Sequence, residues 1–246
     1  MVTSQRQAIV VGVGAERGLG AGLANRFARE GHHVVVAGRS PDKLVQVVRG
    51  IAAHGGSAEA VVADATKESD IGTLFDHVAR NGYGALDLVV FNAGNNIRHD
   101  VRTLPADLFE DAWRTSALGG FLVGREAARR LERQERGTII FTGATASLRG
   151  KPPFTAFAAA KAALRSVAQS LAREFGPRGL HVAHVIIDGG IDGDKLAQAA
   201  PQRKAERGED GLLNIDAIAD AYWHLYRQHR SAWTHELDLR PFKEPF

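Results

Sequence analysis

The chain has 246 residues, 44% apolar and 24% charged, with a formal net charge of +3, the size and balance of one globular α/β domain spanning 1–246. It holds no cysteine, which excludes disulfides, thiolate chemistry and cysteine zinc sites and fits a reducing, cytoplasmic setting. No apolar run approaches the ~18–20 residues of a membrane span, and MVTSQRQAIVVGVG lacks the charged segment and long apolar run of a leader peptide.

The first element is a strand, QAIVVGV (7–13), followed by GVGAERGLGAG and a helix over 18–30. Gly14, Gly18 and Gly20 make a G-x-x-x-G-x-G pattern between strand and helix. Glycines there permit a tight turn and let a pyrophosphate approach the helix N-terminus. A second strand, HHVVVAG (32–38), leads through RSPDKL into a helix over 41–53. Ser40 reads as its N-cap, with Pro41 at the first helical position and Asp42 in the first turn. A site for NAD(H) wants an acid roughly 20 residues past the glycines, for the ribose 2′-hydroxyl. Gly38 and Arg39 stand there instead. Arg39, with Arg17 in the glycine loop, suits a 2′-phosphate, because a guanidinium makes bidentate phosphate contacts. The expected cofactor is NADP(H).

A third strand, SAEAVVA (57–63), runs into Asp64 and Ala65, and a helix spans 67–81. The fourth, LDLVVFN (86–92), ends in Asn92, Ala93 and Gly94. Helical periodicity then covers 105–135. Its basic end carries Glu126–Arg130 and Glu132–Arg136 at i,i+4, the pattern of a solvated helix face, so neither a nucleic acid nor a membrane is expected as partner. After the strand GTIIFTG (137–143), the helix over 154–175 places Phe157 and Lys161 four apart, on one face. The strand LHVAHVII (180–187) precedes an irregular stretch, 188–214, too long for a plain connector and placed like a substrate lid. A helix over 216–229 and the strand HELDLR (235–240) complete the chain.

Near-continuous apolar strands joined by helices predict a seven-stranded parallel sheet covered on both faces, a doubly wound Rossmann fold. Its ligands bind beyond the carboxyl ends of the strands. The histidine pair at 32–33 is read at the opposite end, without metal-ligand spacing, so no metal is expected.

These motifs, in this order, resemble the short-chain dehydrogenase/reductase family over nearly the whole chain. The resemblance implies that Leu19 and Ser40 join the glycines and arginines around the cofactor. It places Asp64 and Ala65 at the adenine, Asn92, Ala93 and Gly94 along the cofactor, and Gly189 and Ile191 against it after the sixth strand. The usual doubled asparagine is absent, since Phe91 stands first. The family's catalytic set is Asn, Ser, Tyr and Lys. The tyrosine is general acid/base, the serine hydrogen-bonds the same substrate oxygen, the lysine holds the nicotinamide ribose, and the asparagine holds a relay water. Carried over residue by residue, Lys161 matches, but Phe157 takes the tyrosine place. Ala144 takes the serine place, and Ser116, in WRTSALGGFLVG, the asparagine place. Asp188 stands where proline is usual.

The resemblance therefore implies an atypical NADP(H)-dependent oxidoreductase or, alternatively, a non-catalytic NADP(H)-binding sensor, scaffold or partner subunit. Thr145, Ser147, Asn95, His99 and Asp188 are the polar groups able to face the nicotinamide. Of these His99 and Asp188 are the candidate replacement acids, and Thr145 and Ser147 read as turn residues. Tyr83, Tyr222 and Tyr226 are not placed to fill the gap. A homo-oligomer, dimer or tetramer, is also implied. Phe154, Leu164, Val167 and Leu171 are its apolar candidates, and the tail LRPFKEPF adds two aromatics.

Overall fold

The computed structural model describes residues 6–244; the first residues, read above for a leader, and Phe246 of the tail lie outside them. Seven strands, β1 (Arg6–Val11), β2 (His32–Gly38), β3 (Ser57–Val62), β4 (Ala85–Phe91), β5 (Gly137–Thr142), β6 (Leu180–Ile187) and β7 (Glu236–Leu239), form one sheet in the order β3-β2-β1-β4-β5-β6-β7. Every neighbouring pair is parallel. The chain reverses its direction of winding between β1 and β4, so the loops leaving their carboxyl ends part and open a crevice. Register brings Ala37, Val11 and Phe91 level at that edge.

Alternation along each strand sends side chains to the two faces in turn. From β1, Ala8 and Val10 join one core cluster and Ile9 and Val11 the other. The first is covered by α1 (Leu19–Arg29), α2 (Pro41–Ala53) and α9 (Ile215–Arg227), which contribute Leu23, Phe27, Leu44, Ile51 and Tyr222. The second is covered by α3 (Glu68–Arg80), α5 (Gly119–Leu131) and α6 (Thr155–Phe175), with Phe75, Leu122 and Leu164. Each fully buried side chain of this size contributes roughly 1.5–3 kcal/mol.

Several expectations need correction. The helix over 105–135 is α4 (Ala106–Trp113), one π turn (Arg114–Leu118) and α5 in continuous succession. Glu126 pairs with Arg130 at 3.0 Å as expected, but Glu132 and Arg136 do not pair. The α-helix ends at Leu131, and Glu135 turns left-handed at φ 51°, which breaks the i,i+4 relation. Glu132 binds Arg178 at 2.6 Å instead, and Arg136 lies 3.7 Å from Asp87. His32 and His33 open β2. The stretch 188–214 contains α7 (Asp194–Ala199) and α8 (Arg203–Arg207) and is closed at its base by a bridge between Ile191 and Leu213.

The apolar residues assigned to an interface on α6 are largely core. Leu164 and Leu171 are buried, and Val167 packs against them, because helical spacing puts all three on the stripe facing the sheet. The exposed aromatics of the neighbouring helices are Phe109, Trp113 and Phe121, and Phe242 of the tail is exposed as well. Among the described residues, no helix is long and apolar enough to cross a membrane.

Candidate cofactor and active site

The loop between β1 and α1 is shaped by contacts that leave no room for side chains. A Cβ at Gly18 would meet the Ala15 carbonyl oxygen at 2.9 Å, and one at Gly20 the Gly12 oxygen at 2.9 Å. Asn92 closes the same corner, donating from Nδ2 to the Gly12 oxygen at 3.1 Å. Gly14 differs, because a Cβ there would meet nothing within 4 Å. That glycine borders open crevice. Helix α1 starts at Leu19 with Gly18 as N-cap and no side chain capping it, so its first N–H groups keep their partial positive charge for an anion.

The end of β2 explains the missing acid. A Cβ at Gly38 would lie 2.4 Å from the Val13 oxygen, so no aspartate fits there without moving the glycine loop. Arg39 follows, exposed, and is near enough to Asp64 to stabilise its charge. Burial works to raise the Asp64 pKa, but hydrogen bonds from the Thr66 backbone and hydroxyl, with Arg39 adding to them, hold it below the usual carboxylate range. Neither Arg17 nor Arg39 forms a salt bridge among the described residues. Ser40 is the N-cap residue of α2, yet its hydroxyl accepts no bond from the helix. Pro41, with its fixed φ and missing N–H, sets the helix start instead. Ala65 is buried beside Gly119.

At the other end of the crevice Lys161 is 4% exposed and donates to the Thr142 carbonyl oxygen at 2.8 Å. A Cβ at Gly94 would sit 3.1 Å from its Nζ and 3.5 Å from the Ser116 Oγ, so Gly94, Ser116 and Lys161 converge. Burial, with repulsion from Lys195 adding to it, lowers the Lys161 pKa to about 8. The Phe157 ring lies 6.0 Å from the same Nζ and is partly exposed. Ala144 follows β5 in extended conformation, its N–H bonded to the Ser147 Oγ at 3.1 Å. The described residues thus bring Ser116, Phe157 and Lys161 together, with Ala144 at the end of the neighbouring strand.

The candidate replacement acids fare differently from expectation. Asp188 is buried and receives hydrogen bonds from the Thr145 hydroxyl and Arg240, with Arg149 at 3.8 Å. Both of its oxygens are thereby engaged. Thr145 is therefore more than a turn residue. His99 is partly exposed and bonds the Asp100 carbonyl oxygen through Nδ1 at 3.0 Å. Tyr222 is fully buried, its hydroxyl 2.8 Å from the Thr142 Oγ1, and burial raises its pKa; it backs the site without entering it.

Sequence reasoning missed further residues here. His184 is buried on β6 and bonds Glu236 at 3.0 Å, while Arg165 grips Glu236 twice at 2.7 Å. Burial lowers the His184 pKa to about 4, so it is neutral near pH 7. Gly143 is small because a Cβ there would lie 2.3 Å from the His184 Nε2. Lys195, on α7, donates to the Asn95 Oδ1 at 3.1 Å and so spans from the 188–214 segment to the loop after Gly94. In the sequence, the histidine inside the apolar run LHVAHVII is the hint to the first of them. A lysine in an apparent loop carries no pattern at all.

Known proteins resemble this chain in sequence and in fold. A family profile described as short chain dehydrogenase matches residues 7–204. A glucose 1-dehydrogenase of Gluconobacter oxydans (strain 621H) is 33% identical over 175 residues, a match covering 70% of this chain and 65%, just under two thirds, of that protein. The crystal structure of a short-chain dehydrogenase from Rhodopseudomonas palustris is 37% identical, with a TM-score of 0.81 over 96% of this chain and 99% of that one. An actinorhodin polyketide ketoreductase crystallised with NADPH shares the fold at TM-score 0.88 and 20% identity, over 100% of both chains.

Proposed function

Because the chain belongs to the short-chain dehydrogenase family, whose members are oxidoreductases built on a nicotinamide-binding fold, we propose that it is an NADP(H)-dependent oxidoreductase with an altered active site. In it Phe157, Ala144 and Ser116 stand in the tyrosine, serine and asparagine places, and Lys161 alone of the four is kept. The observation that carries this proposal is the convergence of buried Lys161 on Gly94 and Ser116, at the far end of a crevice that begins at an uncapped helix N-terminus.

The residues present fit the cofactor. The α1 N-terminus and Gly14 would hold the pyrophosphate, Arg17 and Arg39 the 2′-phosphate, Asp64 and Ala65 the adenine, and Lys161 the nicotinamide ribose. When bound, the nicotinamide supplies or accepts hydride. The protein's own part is positioning and exclusion of water. Phe157 has no proton to give and Ala144 no hydroxyl to bind an oxyanion, so the substrate has to arrive activated. An iminium ion qualifies: its carbon accepts the hydride, the C=N pair moves to nitrogen and becomes a lone pair, and no proton is needed in that step. A polarised alkene is the related choice.

A pure binding role is favoured by one observation, the aromatic ring of Phe157 facing Lys161. The lid and its lysine, which reaches Asn95, argue for turnover.

NADP(H) is expected to bind more tightly than NAD(H) by about 1–3 kcal/mol, the value of charged hydrogen bonds from two arginines to one phosphate. Calorimetric titration with both reduced cofactors checks it, and equal affinities refute it. NADPH affinity is also expected to depend on pH. The Lys161 ammonium, with its pKa near 8, donates charged hydrogen bonds below that pH and loses the charge above it. Affinity should therefore be level below pH 8 and fall above it, by at most about tenfold per unit. Lys161→Met should flatten the profile, and a flat wild-type profile would detach Lys161 from the cofactor.

We also propose a homo-oligomer joined through the face carrying Phe109, Trp113 and Phe121, each roughly two-fifths exposed (38%, 42% and 41%). Light scattering at micromolar concentration should give a multiple of the chain mass. A monomer mass would refute it.

A further inference from the structure

The lid carries a charge that the cofactor site does not use. Helix α7 is pinned at its start to the glycine loop: the Asp194 N–H donates to the Arg17 oxygen at 2.9 Å, and the Arg17 N–H donates to the Asp194 Oδ2 at 3.2 Å. A Cβ at Gly193 would come within 2.5 Å of that Arg17 oxygen, so the two segments meet backbone to backbone. From this anchor Lys195 projects across to Asn95. An amide oxygen satisfies one ammonium N–H and none of its charge. Lys161 nearby likewise has a carbonyl oxygen and no carboxylate, and Lys195 is near enough to depress its pKa.

The segments that leave β4 and β5 carry two more cations. Arg98 stands 5.3 Å from the Phe154 ring and forms no salt bridge among the described residues. Arg149 is 3.8 Å from Asp188, whose oxygens are already engaged by Thr145 and Arg240. Of the nearby acids, Asp192 pairs with Lys204 at 2.6 Å, and Asp194 is turned to the glycine loop, its Oδ2 accepting the Arg17 N–H. Lys195, Arg98 and Arg149 outnumber Asp194, the nearby acid without a cationic partner among the described residues, and low-dielectric crevice walls strengthen the pull of such an excess on an anion.

We propose that Lys195, with Arg98 and Arg149 beside it, forms an anion site at the substrate end, so that the substrate is a small molecule carrying a carboxylate or phosphate group next to its reducible double bond. This rests on the oxidoreductase reading above. The lid thereby acquires a role, since Lys195 closes over the anion while α7 stays tied to the cofactor loop, which joins the two binding events.

Titration of the NADPH-saturated chain with benzoate, phenyl phosphate and neutral benzamide tests the proposal. One of the two anions should bind at least about tenfold more tightly than benzamide, the scale of one charge-assisted contact, and the tighter anion identifies the headgroup. Lys195→Gln should remove that advantage, Lys195→Arg should keep most of it, and NADPH affinity should stay within about twofold in both variants. Three results overturn the anion site: equal binding of benzamide and both anions, anion binding unchanged in Lys195→Gln, or weakened NADPH binding in that variant, which would assign Lys195 to the cofactor's phosphates. If the wild-type chain does not bind NADPH, the oxidoreductase proposal fails separately, and the same titrations on the free chain still decide the anion site.

Discussion

The double substitution Ala144→Ser with Phe157→Tyr is expected to raise carbonyl reduction by NADPH about 10²-fold or more, roughly 3 kcal/mol of barrier. The parent should reduce simple ketones very slowly, because neither residue can protonate or hold the oxygen. The lysine that lowers a phenol's pKa is already in place, 6.0 Å from the Phe157 ring. Room is available as well. Phe157 and Ala144 are only partly buried, and Ala144 is already extended at φ −156°, ψ 169°, so neither new hydroxyl is stranded in the core. Steady-state ketone reduction by the two proteins measures the gain. A folded, NADPH-binding double variant with no gain would favour the non-catalytic role. Each single change should recover much less, since residues acting as one unit are not additive.

The second large effect concerns Gly12. Its φ is +93°, and a Cβ there would lie 2.4 Å from the Ala93 nitrogen and 2.7 Å from the Asn92 carbonyl carbon. Both neighbours are backbone at the end of a central strand, so neither can step aside. Overpacking costs about 1–3 kcal/mol and a left-handed non-glycine backbone about 1–2 more. Gly12→Ala should therefore lose about 2–5 kcal/mol and roughly 5–15 °C of melting temperature. Gly14→Ala is the instructive partner, because nothing lies within 4 Å of its Cβ. It should melt close to the parent yet bind NADPH poorly, since the methyl would enter the space proposed above for the pyrophosphate. A Gly14→Ala protein with parental NADPH affinity would remove the cofactor from this loop.

Much of the fold is legible because parallel strands buried on both faces are continuous apolar runs, as in β2 and β6, where every residue is buried. Helix α6 is equally plain from its spacing. That spacing shows which residues share a stripe, but not whether sheet or solvent lies opposite, and so Leu164 and Leu171 read as interface candidates although they belong to the core. Helices α7 and α8 have six and five residues, shorter than any window in which periodicity shows, and glycines at 190, 193, 208 and 211 mask them. The glycine loop and Arg39 are readable through local motif chemistry. Lys195 and the His184–Glu236 pair join residues 100 and 52 positions apart in sequence, a distance over which only the folded chain carries information. The fate of Asp188 is of the same kind, since Arg240 reaches it from the strand beyond.

The most direct test of the central claim is NADPH oxidation measured on a matched pair, a ketone and the preformed iminium ion of the same skeleton, each bearing a carboxylate. A site that holds NADPH through Arg17, Arg39 and Lys161 but lacks an acid at positions 144 and 157 should oxidise NADPH with the iminium at least about 10²-fold faster than with the ketone. Equal and brisk rates on both, or oxidation by neither in a chain that binds NADPH tightly, would contradict it.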